Sequence, residues 1–304
     1  MWKKTHNSNK NCHQSRVAPG GRFELPGPRG PHALKGTLKE FERFCTIDLA
    51  LSDATVKGHH IPEMRRFFKW LGNREVTTES IREYLETLKE KAASTRANTL
   101  KTFRRFFRDY LKHGELVATF KLPHQNYKPK SIPIKEQLQK FYAALKSPKD
   151  RAIFLIYATT GLRKHELVSL ALKEIDLERR IILPKTDGSR TKRTWATFFN
   201  EEAERALREC FGRCKGLTSD SKLFAEKAVR KTFKRGQERA GIHITPKVLR
   251  DWFCSEMGEL GVADRYVDAF CGRVPRSILA RHYTDFSPER LKRIYDSVRL
   301  RVLE

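Results

Sequence analysis

Residues 160–167 read Thr-Gly-Leu-Arg-Lys-His-Glu-Leu, and the fold of the C-terminal half turns on this string. It follows an apolar run, Ala152–Ala158, that reads as a buried helix and falls far short of the ~18 residues of a membrane span. Gly161 permits a sharp turn out of that helix and Arg163 opens the next one. An arginine at a helix start, beside backbone donors, is placed for an anion. Glu166, three residues on, can orient the guanidinium. Taken alone, the string fits an ordinary surface arginine at a helix start better than an anion site.

Working outward toward the C-terminus, Ile175–Leu177 and Arg180–Leu183 read as short strands, Thr186–Lys192 as a polar turn and Thr194–Phe199 as a returning strand. Upstream, Leu138, Phe141, Tyr142 and Leu145 mark a helix. Further helices are expected at Glu202–Phe211, Lys227–Ala240, Pro246–Leu260, Ala263–Phe270 and Pro288–Val298. The last is amphipathic, with Leu291, Ile294, Tyr295 and Val298 on one face. It either packs on its own domain or docks on a neighbouring protomer. The fold class is mainly α with a small antiparallel β-sheet. Neither a glycine-rich phosphate loop nor a carboxylate cluster for two-metal chemistry is present in the sequence.

A second string, Thr245-Pro246-Lys247-Val248-Leu249-Arg250, has a helix N-cap at Thr245 and proline at the first helical position. Lys247 and Arg250 then share a face at i, i+3. Two cations at a helix start oppose its dipole, which an external anion would offset. Two solvated cations on a basic protein is the plain alternative.

Working back toward the N-terminus, residues 124–133, HQNYKPKSIP, read as an extended linker, within a boundary of 123–133. Residues 34–122 turn helical. Phe41, Phe44 and Cys45 repeat at helix spacing, as do Met64, Phe67, Phe68 and Leu71, where Gly72-Asn73 stops the helix. Thr78 is the expected cap of a third helix carrying Ile81, Leu85 and Leu88. Ser94 or Thr95 is the expected cap of a fourth, carrying Leu100, Phe103, Phe106, Phe107 and Tyr110 and ended by Gly114. This fourth helix also bears Lys101, Arg104, Arg105 and Arg108. They are either a solvated face or a row that docks on phosphates. Residues 1–33 read as a disordered basic tail, and the residues from 134 to 304 as a second domain.

The 304 residues carry 62 Lys and Arg against 36 Asp and Glu, a formal charge of +26, with 39% apolar and 10% aromatic content. That balance excludes a wholly disordered chain and points to a polyanionic partner. No hydrophobic segment follows the basic Met1–Lys4, so neither a signal peptide nor a membrane is expected, and the location implied is cytoplasmic. Few amides, three methionines and 32% charged residues lean toward a heat-stable protein. Six scattered cysteines form no CxxC pair, and Cys210 and Cys214 lack a histidine at ligand spacing, so no metal site is expected.

A third string runs Cys271-Gly272-Arg273 and then Arg281-His282-Tyr283. The order Gly-Leu-Arg-x-x-Glu-Leu, strand-Lys-turn-strand, x-x-Leu-Arg, Gly-Arg, Tyr resembles the catalytic domain of tyrosine recombinases, over about residues 35–295. The family's usual His-x-Leu-Arg box stands here as Lys247-Val-Leu-Arg250, and its following His or Trp position as Arg273. Both departures resemble archaeal virus and plasmid integrases of the spindle-shaped-virus type. The resemblance implies a helical core-binding domain plus an α+β catalytic domain. It implies a site-specific integrase that cleaves and rejoins duplex DNA through a 3′-phosphotyrosyl intermediate, with no metal or other cofactor.

It further implies Tyr283 as nucleophile, with Arg163, Arg250 and Arg273 neutralising the phosphate. Lys185 stands at the general-acid position and Lys192, across the same turn, is the fallback. Lys247 takes the phenol proton or holds a phosphate. Glu166 supports Arg163, and Lys101, Arg104, Arg105, Arg108, Lys128 and Lys130 are candidate DNA contacts. Of the other tyrosines, Tyr84, Tyr110, Tyr127 and Tyr142 precede the core, Tyr157 is in the apolar run, and Tyr266 and Tyr295 sit on helices.

The partners implied are double-stranded attachment sites and a homo-tetramer on DNA, with a monomer in free solution allowed. Arg22-Phe23-Glu24-Leu25-Pro26 can be encoded as CGG TTC GAA CTC CCG, which resembles the T-arm of a tRNA gene, the target of the archaeal group. A cut-and-reseal enzyme of the type IB topoisomerase kind and an inactive DNA-binding relative are the alternatives.

Overall fold

The computed structural model describes residues 31–124, 129–184, 196–214, 216–275 and 277–304, with side chains described from residue 36 onward. The readings made on the 1–30 tail, Arg22–Pro26, Tyr127, Lys128, Lys185, the Thr186–Lys192 turn and Lys192 lie outside these residues. The chain divides into two units after residue 128.

In the first unit, α1 (Pro31–Ile47), α3 (Ile61–Leu71), α4 (Thr78–Glu86) and α5 (Ala93–Phe103) bury one aromatic cluster. Phe41 meets Phe106 edge-on at 4.9 Å and Phe67 meets Phe103 at 4.8 Å, geometry that aromatic quadrupoles favour. A short helix α2 (Asp53–Thr55), capped by Ser52, and a π-helical turn, Val56–His60, run directly into α3. Their sequence shows no apolar period, because only Val56 and His60 are buried there.

Three expected boundaries move. The third helix is capped by Thr77 rather than Thr78: the Thr77 backbone is extended, and its hydroxyl accepts from Ser80 N at 3.0 Å while Ser80 Oγ accepts from Thr77 N at 2.9 Å. Only this threonine stands three residues before a side chain that can answer it. The fourth helix starts at Ala93 behind extended Ala92, so Ser94 and Thr95 fall inside its first turn and cap nothing. Its C-terminal continuation is a π-helix, Arg104–Tyr110, and the chain reverses at Lys112, φ 63°, before Gly114. Gly114 serves close approach instead: a Cβ there would stand 3.1 Å from Arg108 Cγ.

In the second unit, α7 (Pro148–Thr160) is the central helix. Ser147 caps it and every residue from Ala152 to Thr160 is buried, which is why its sequence is apolar on all sides. It packs against α9 (Glu201–Gly212) and α11 (Pro246–Glu259). α6 (Lys135–Ala143) and α10 (Glu226–Ala240) cover it further. Strands β1 (Ile175–Asp176), β2 (Ile181–Ile182) and β3 (Thr197–Phe198) form an antiparallel sheet in that order, with Ile175 opposite Ile182 and Ile182 opposite Thr197. Thr197 Oγ1 donates to the Thr160 carbonyl at 2.7 Å and ties the sheet to the end of α7.

The final helix, α14 (Pro288–Ser297), packs on its own unit. Leu291, Tyr295, Leu300 and Val302 are buried, Tyr295 Oη donates to the Thr159 carbonyl at 2.7 Å, and Glu202 accepts from the backbone N–H of Val302 and Leu303. Among the described residues no helix is long and apolar enough to cross a membrane.

Candidate active site

Gly161 ends α7 in the left-handed region, φ 64°, and a Cβ there would stand 2.6 Å from Phe253 and 2.8 Å from Cys271 Sγ. The turn therefore brings backbone against α11 and against the Cys271–Gly272 turn that follows α12 (Asp264–Phe270). Helix α8 (Lys164–Ser169) begins at once behind Arg163.

Two arginines are fixed where these backbones meet. Arg163 Nη1 donates to Glu166 Oε1 at 2.6 Å, its N–H donates to Glu166 Oε2 at 2.7 Å, and its Nη2 donates to the Gly272 carbonyl at 3.2 Å. Arg250, one turn into α11, is 8% exposed. Its Nη1 donates to the Gly161 carbonyl and its Nη2 to the Cys271 carbonyl at 2.7 Å. Burial, first, and then the nearby Arg163 and Arg273 charges pull its pKa down; a guanidinium still stays charged. Arg273 is exposed, donating to Asp268 Oδ1 at 3.1 Å and to Cys254 Sγ at 3.7 Å. Thus the structure brings Arg163, Arg250 and Arg273 to one turn, with Glu166 behind the first. Lys247 lies exposed on the first turn of α11, unlike its buried i+3 partner Arg250.

Tyr283 is the C-cap of a short helix, α13 (Ile278–His282), capped at its start by Ser277 and absent from the sequence reading because Ile278 and Leu279 are both exposed. Tyr283 is 78% exposed and lines a cavity of about 810 Å³ with Tyr266, Asp268, Asp285 and Arg290. Its hydroxyl has no hydrogen-bond partner among the described residues. Four other phenols are committed: Tyr84 to Glu63, Tyr110 to Glu40, Tyr157 to the Lys164 carbonyl, and Tyr295 to the Thr159 carbonyl. Tyr266 Oη accepts from Arg290 at 3.2 and 3.3 Å, which lowers its pKa below the ordinary phenol value. Asp268, on the cavity wall and paired to Arg273, links the cavity to the arginine group.

The first unit's basic row divides. Arg105 donates to His60 Nε2 and Arg104 to the Phe120 carbonyl, both half-buried, while Lys101 is exposed and Arg108 pairs with Asp109. Lys130 pairs with Asp251 at 2.8 Å. No group of three or more metal-ligating side chains occurs among the described residues. Sequence reading missed the carbonyls of Gly161, Cys271 and Gly272 as arginine anchors. It also missed Asp268 and Cys254 beside Arg273, since neither contact leaves a spacing signal.

The model of the phage integrase family matches residues 134–290, and that of the phage integrase N-terminal SAM-like domain matches residues 38–114. The chain belongs to the phage integrase family and is a tyrosine recombinase, an enzyme that breaks and rejoins DNA strands at specific sites. It is 26% identical to tyrosine recombinase XerA of Thermococcus onnurineus over 88% of this chain and 97% of that one. It is 27% identical to XerA of Saccharolobus solfataricus over 60% of this chain and 65% of the relative. The fold is shared with the lambda integrase (residues 75–356) bound to DNA, at TM-score 0.63, 16% identity and coverage of 84% and 98%.

Proposed function

We propose that this recombinase is an integrase that inserts a plasmid or virus at a tRNA gene, acting in the cytoplasm as a homo-tetramer on duplex DNA. Residues 34–122 form its DNA-binding domain, 123–133 the linker and 134–304 the catalytic domain. The phenol oxygen of Tyr283 attacks the scissile phosphorus, the bond to the 5′-oxygen breaks, and a 3′-phosphotyrosyl ester is left. That ester keeps the bond energy for rejoining. Negative charge builds on the non-bridging oxygens, where Arg163, Arg250 and Arg273 neutralise it. Lys185 gives the leaving oxygen its proton, and Lys247 takes the phenol proton or holds a phosphate.

The observation that carries the chemistry is the anchoring of Arg163 and Arg250 on consecutive carbonyls, Gly272 and Cys271, eleven and twelve residues before the exposed Tyr283. The target reading rests on the coding potential of Arg22–Pro26 and on similarity to archaeal recombinases. The experiment incubates the protein with a supercoiled plasmid carrying a tRNA gene that contains the CGG TTC GAA CTC CCG string. A second duplex carries the same string. Recombinant joints are expected, and Tyr283→Phe should give neither joints nor covalent adduct while still binding DNA within a few fold. Supercoil relaxation without joints would make the enzyme topoisomerase-like, binding without adduct would make it inactive, and an adduct surviving in the variant would move the nucleophile to Tyr266.

A further inference from the structure

Directly behind the arginine group lie two thiols that the proposed chemistry does not use. Cys254, on α11, and Cys271, at the end of α12, stand with their sulfurs 3.3 Å apart. Both are free thiols. Cys271 is fully buried and Cys254 half-buried, so Cys254 is the more accessible of the two to a small solute. Each touches the arginine group differently. Cys254 Sγ accepts from Arg273, and the Cys271 carbonyl accepts from Arg250. The next carbonyl, Gly272, holds Arg163. Cys271 Sγ is also pressed against Gly161, whose carbonyl is the second anchor of Arg250.

We propose that Cys254 and Cys271 form a redox modification site: a peroxide-class oxidant converts them to a disulfide, and closing that bond displaces the carbonyls that hold Arg163 and Arg250. Cys254 attacks the peroxide oxygen as its thiolate, the O–O bond breaks, and a sulfenic acid forms as hydroxide leaves and takes a proton to become water. The Cys271 sulfur then attacks the sulfenic sulfur, the S–OH bond breaks, a second water leaves and the S–S bond forms. Two thiols lose two electrons to one peroxide.

The surroundings favour this order of events. The Cys271 thiol donating to Cys254, and then the Arg273 and Arg250 charges, hold Cys254 below the ordinary thiol value against its burial, and low-pKa, accessible thiols beside a resolving cysteine are the susceptible ones. A disulfide needs about 2.05 Å between sulfurs, so the pair must close by more than 1 Å from 3.3 Å. Displacements near 1 Å in a positioning element cost on the order of 10²-fold in rate.

The test treats the full-length protein with hydrogen peroxide and maps disulfides by mass spectrometry of tryptic peptides. It then measures covalent adduct on the supercoiled plasmid before and after dithiothreitol. The expected result is a Cys254–Cys271 cross-linked peptide, a fall of tenfold or more in adduct rate, and recovery on reduction. Cys254→Ser, compared only with itself with and without peroxide, should lose no rate on treatment. The site is overturned if mapping finds no Cys254–Cys271 bond, for example only Cys210–Cys214. The displacement is overturned if the bond forms without a rate change, or if Cys254→Ser is inhibited equally. The rate measurement rests on the recombinase chemistry and the mapping does not, so a reduced protein that forms no adduct would sink that chemistry while the map still decides the thiols.

Discussion

Arg250 and Arg163 hang from consecutive carbonyls: Nη2 of Arg250 donates to Cys271 at 2.7 Å and Nη2 of Arg163 to Gly272 at 3.2 Å. Two guanidiniums on adjacent peptide units keep a fixed separation, which is what bidentate neutralisation of one phosphate requires. Arg250→Ala removes one of them and leaves two buried carbonyls unpaired. Adduct formation should fall by roughly 10²–10³-fold, and urea unfolding should show a loss of about 1–3 kcal/mol. Arg250→Lys keeps the charge but cannot bond both carbonyls in one plane. It should therefore be slower than wild type by at least tenfold at a smaller cost in stability. A lysine variant of unchanged rate would mean charge alone suffices.

Gly161 is the hinge of the same arrangement. Its φ of 64° and the 2.6 Å that a Cβ would leave to Phe253 oppose any side chain there. Gly161→Ala should cost about 2 kcal/mol or more through strain and overpacking, and it should slow adduct formation because the Gly161 carbonyl anchors Arg250. A fully active, equally stable alanine variant would show that the turn relaxes freely.

Most helices of both units, the three-stranded order and the all-round apolar α7 were legible because their burial is periodic or continuous. The pair Gly161 and Arg250, however, lies 89 residues apart in sequence, and no spacing records a side chain bonding a distant carbonyl. Local ends failed where the decisive residue has no special chemistry: Ala92 in place of Ser94, and Lys112 in place of Gly114. Tyr283 could be named by motif order, yet α13 beneath it was invisible because Ile278 and Leu279 face outward at 75% and 71% exposure. The terminal helix had an evident apolar face, but only the buried Leu291 and Tyr295 show that its own unit covers it.

Metal dependence follows from where the positive charge comes from. In the proposed chemistry three arginines and a lysine supply what a divalent ion would supply in a two-metal enzyme. Adduct formation in millimolar EDTA should stay within about twofold of the untreated rate. Complete loss there, restored by magnesium, would overturn the arginine-based chemistry.

His60 makes the first unit sensitive to acid. Burial, first, and then Arg105 and His59 push it down to about 4 from 6.5. Its Nδ1 bonds Thr102 at 2.8 Å, and its Nε2 accepts from Arg105, which a protonated ring could not do. Below pH 6.5 the unfolded chain takes up a proton that the fold refuses. Stability is therefore full above 6.5 and is lost as pH falls toward 4, by about 3 kcal/mol across that window. Urea unfolding at pH 7 and 4.5 should show a larger loss for wild type than for His60→Gln. Equal losses would mean that other groups carry the acid sensitivity.

The basic row of the first unit can be dissected by salt. If about six or more phosphates are contacted, affinity for duplex DNA should fall by roughly 10³-fold between about 50 and 200 mM salt. Lys101 is exposed on α5 with no acceptor bonded to it among the described residues. Lys101→Ala should lower the slope of log affinity against log salt by about 0.9, one phosphate's worth, without changing the melting temperature. Arg104 and Arg105 also hold the Phe120 carbonyl and His60. Replacing both with alanine should flatten the slope and lower the melting temperature together, and should weaken binding to unrelated sequences equally, since backbone contacts carry no sequence information. Arg108, already neutralised by Asp109 at 2.7 Å, should matter least of the four. A Lys101→Ala slope equal to wild type, with the Arg104→Ala, Arg105→Ala protein differing only in melting temperature, would turn this helix face away from DNA and leave the first unit's grip to other residues.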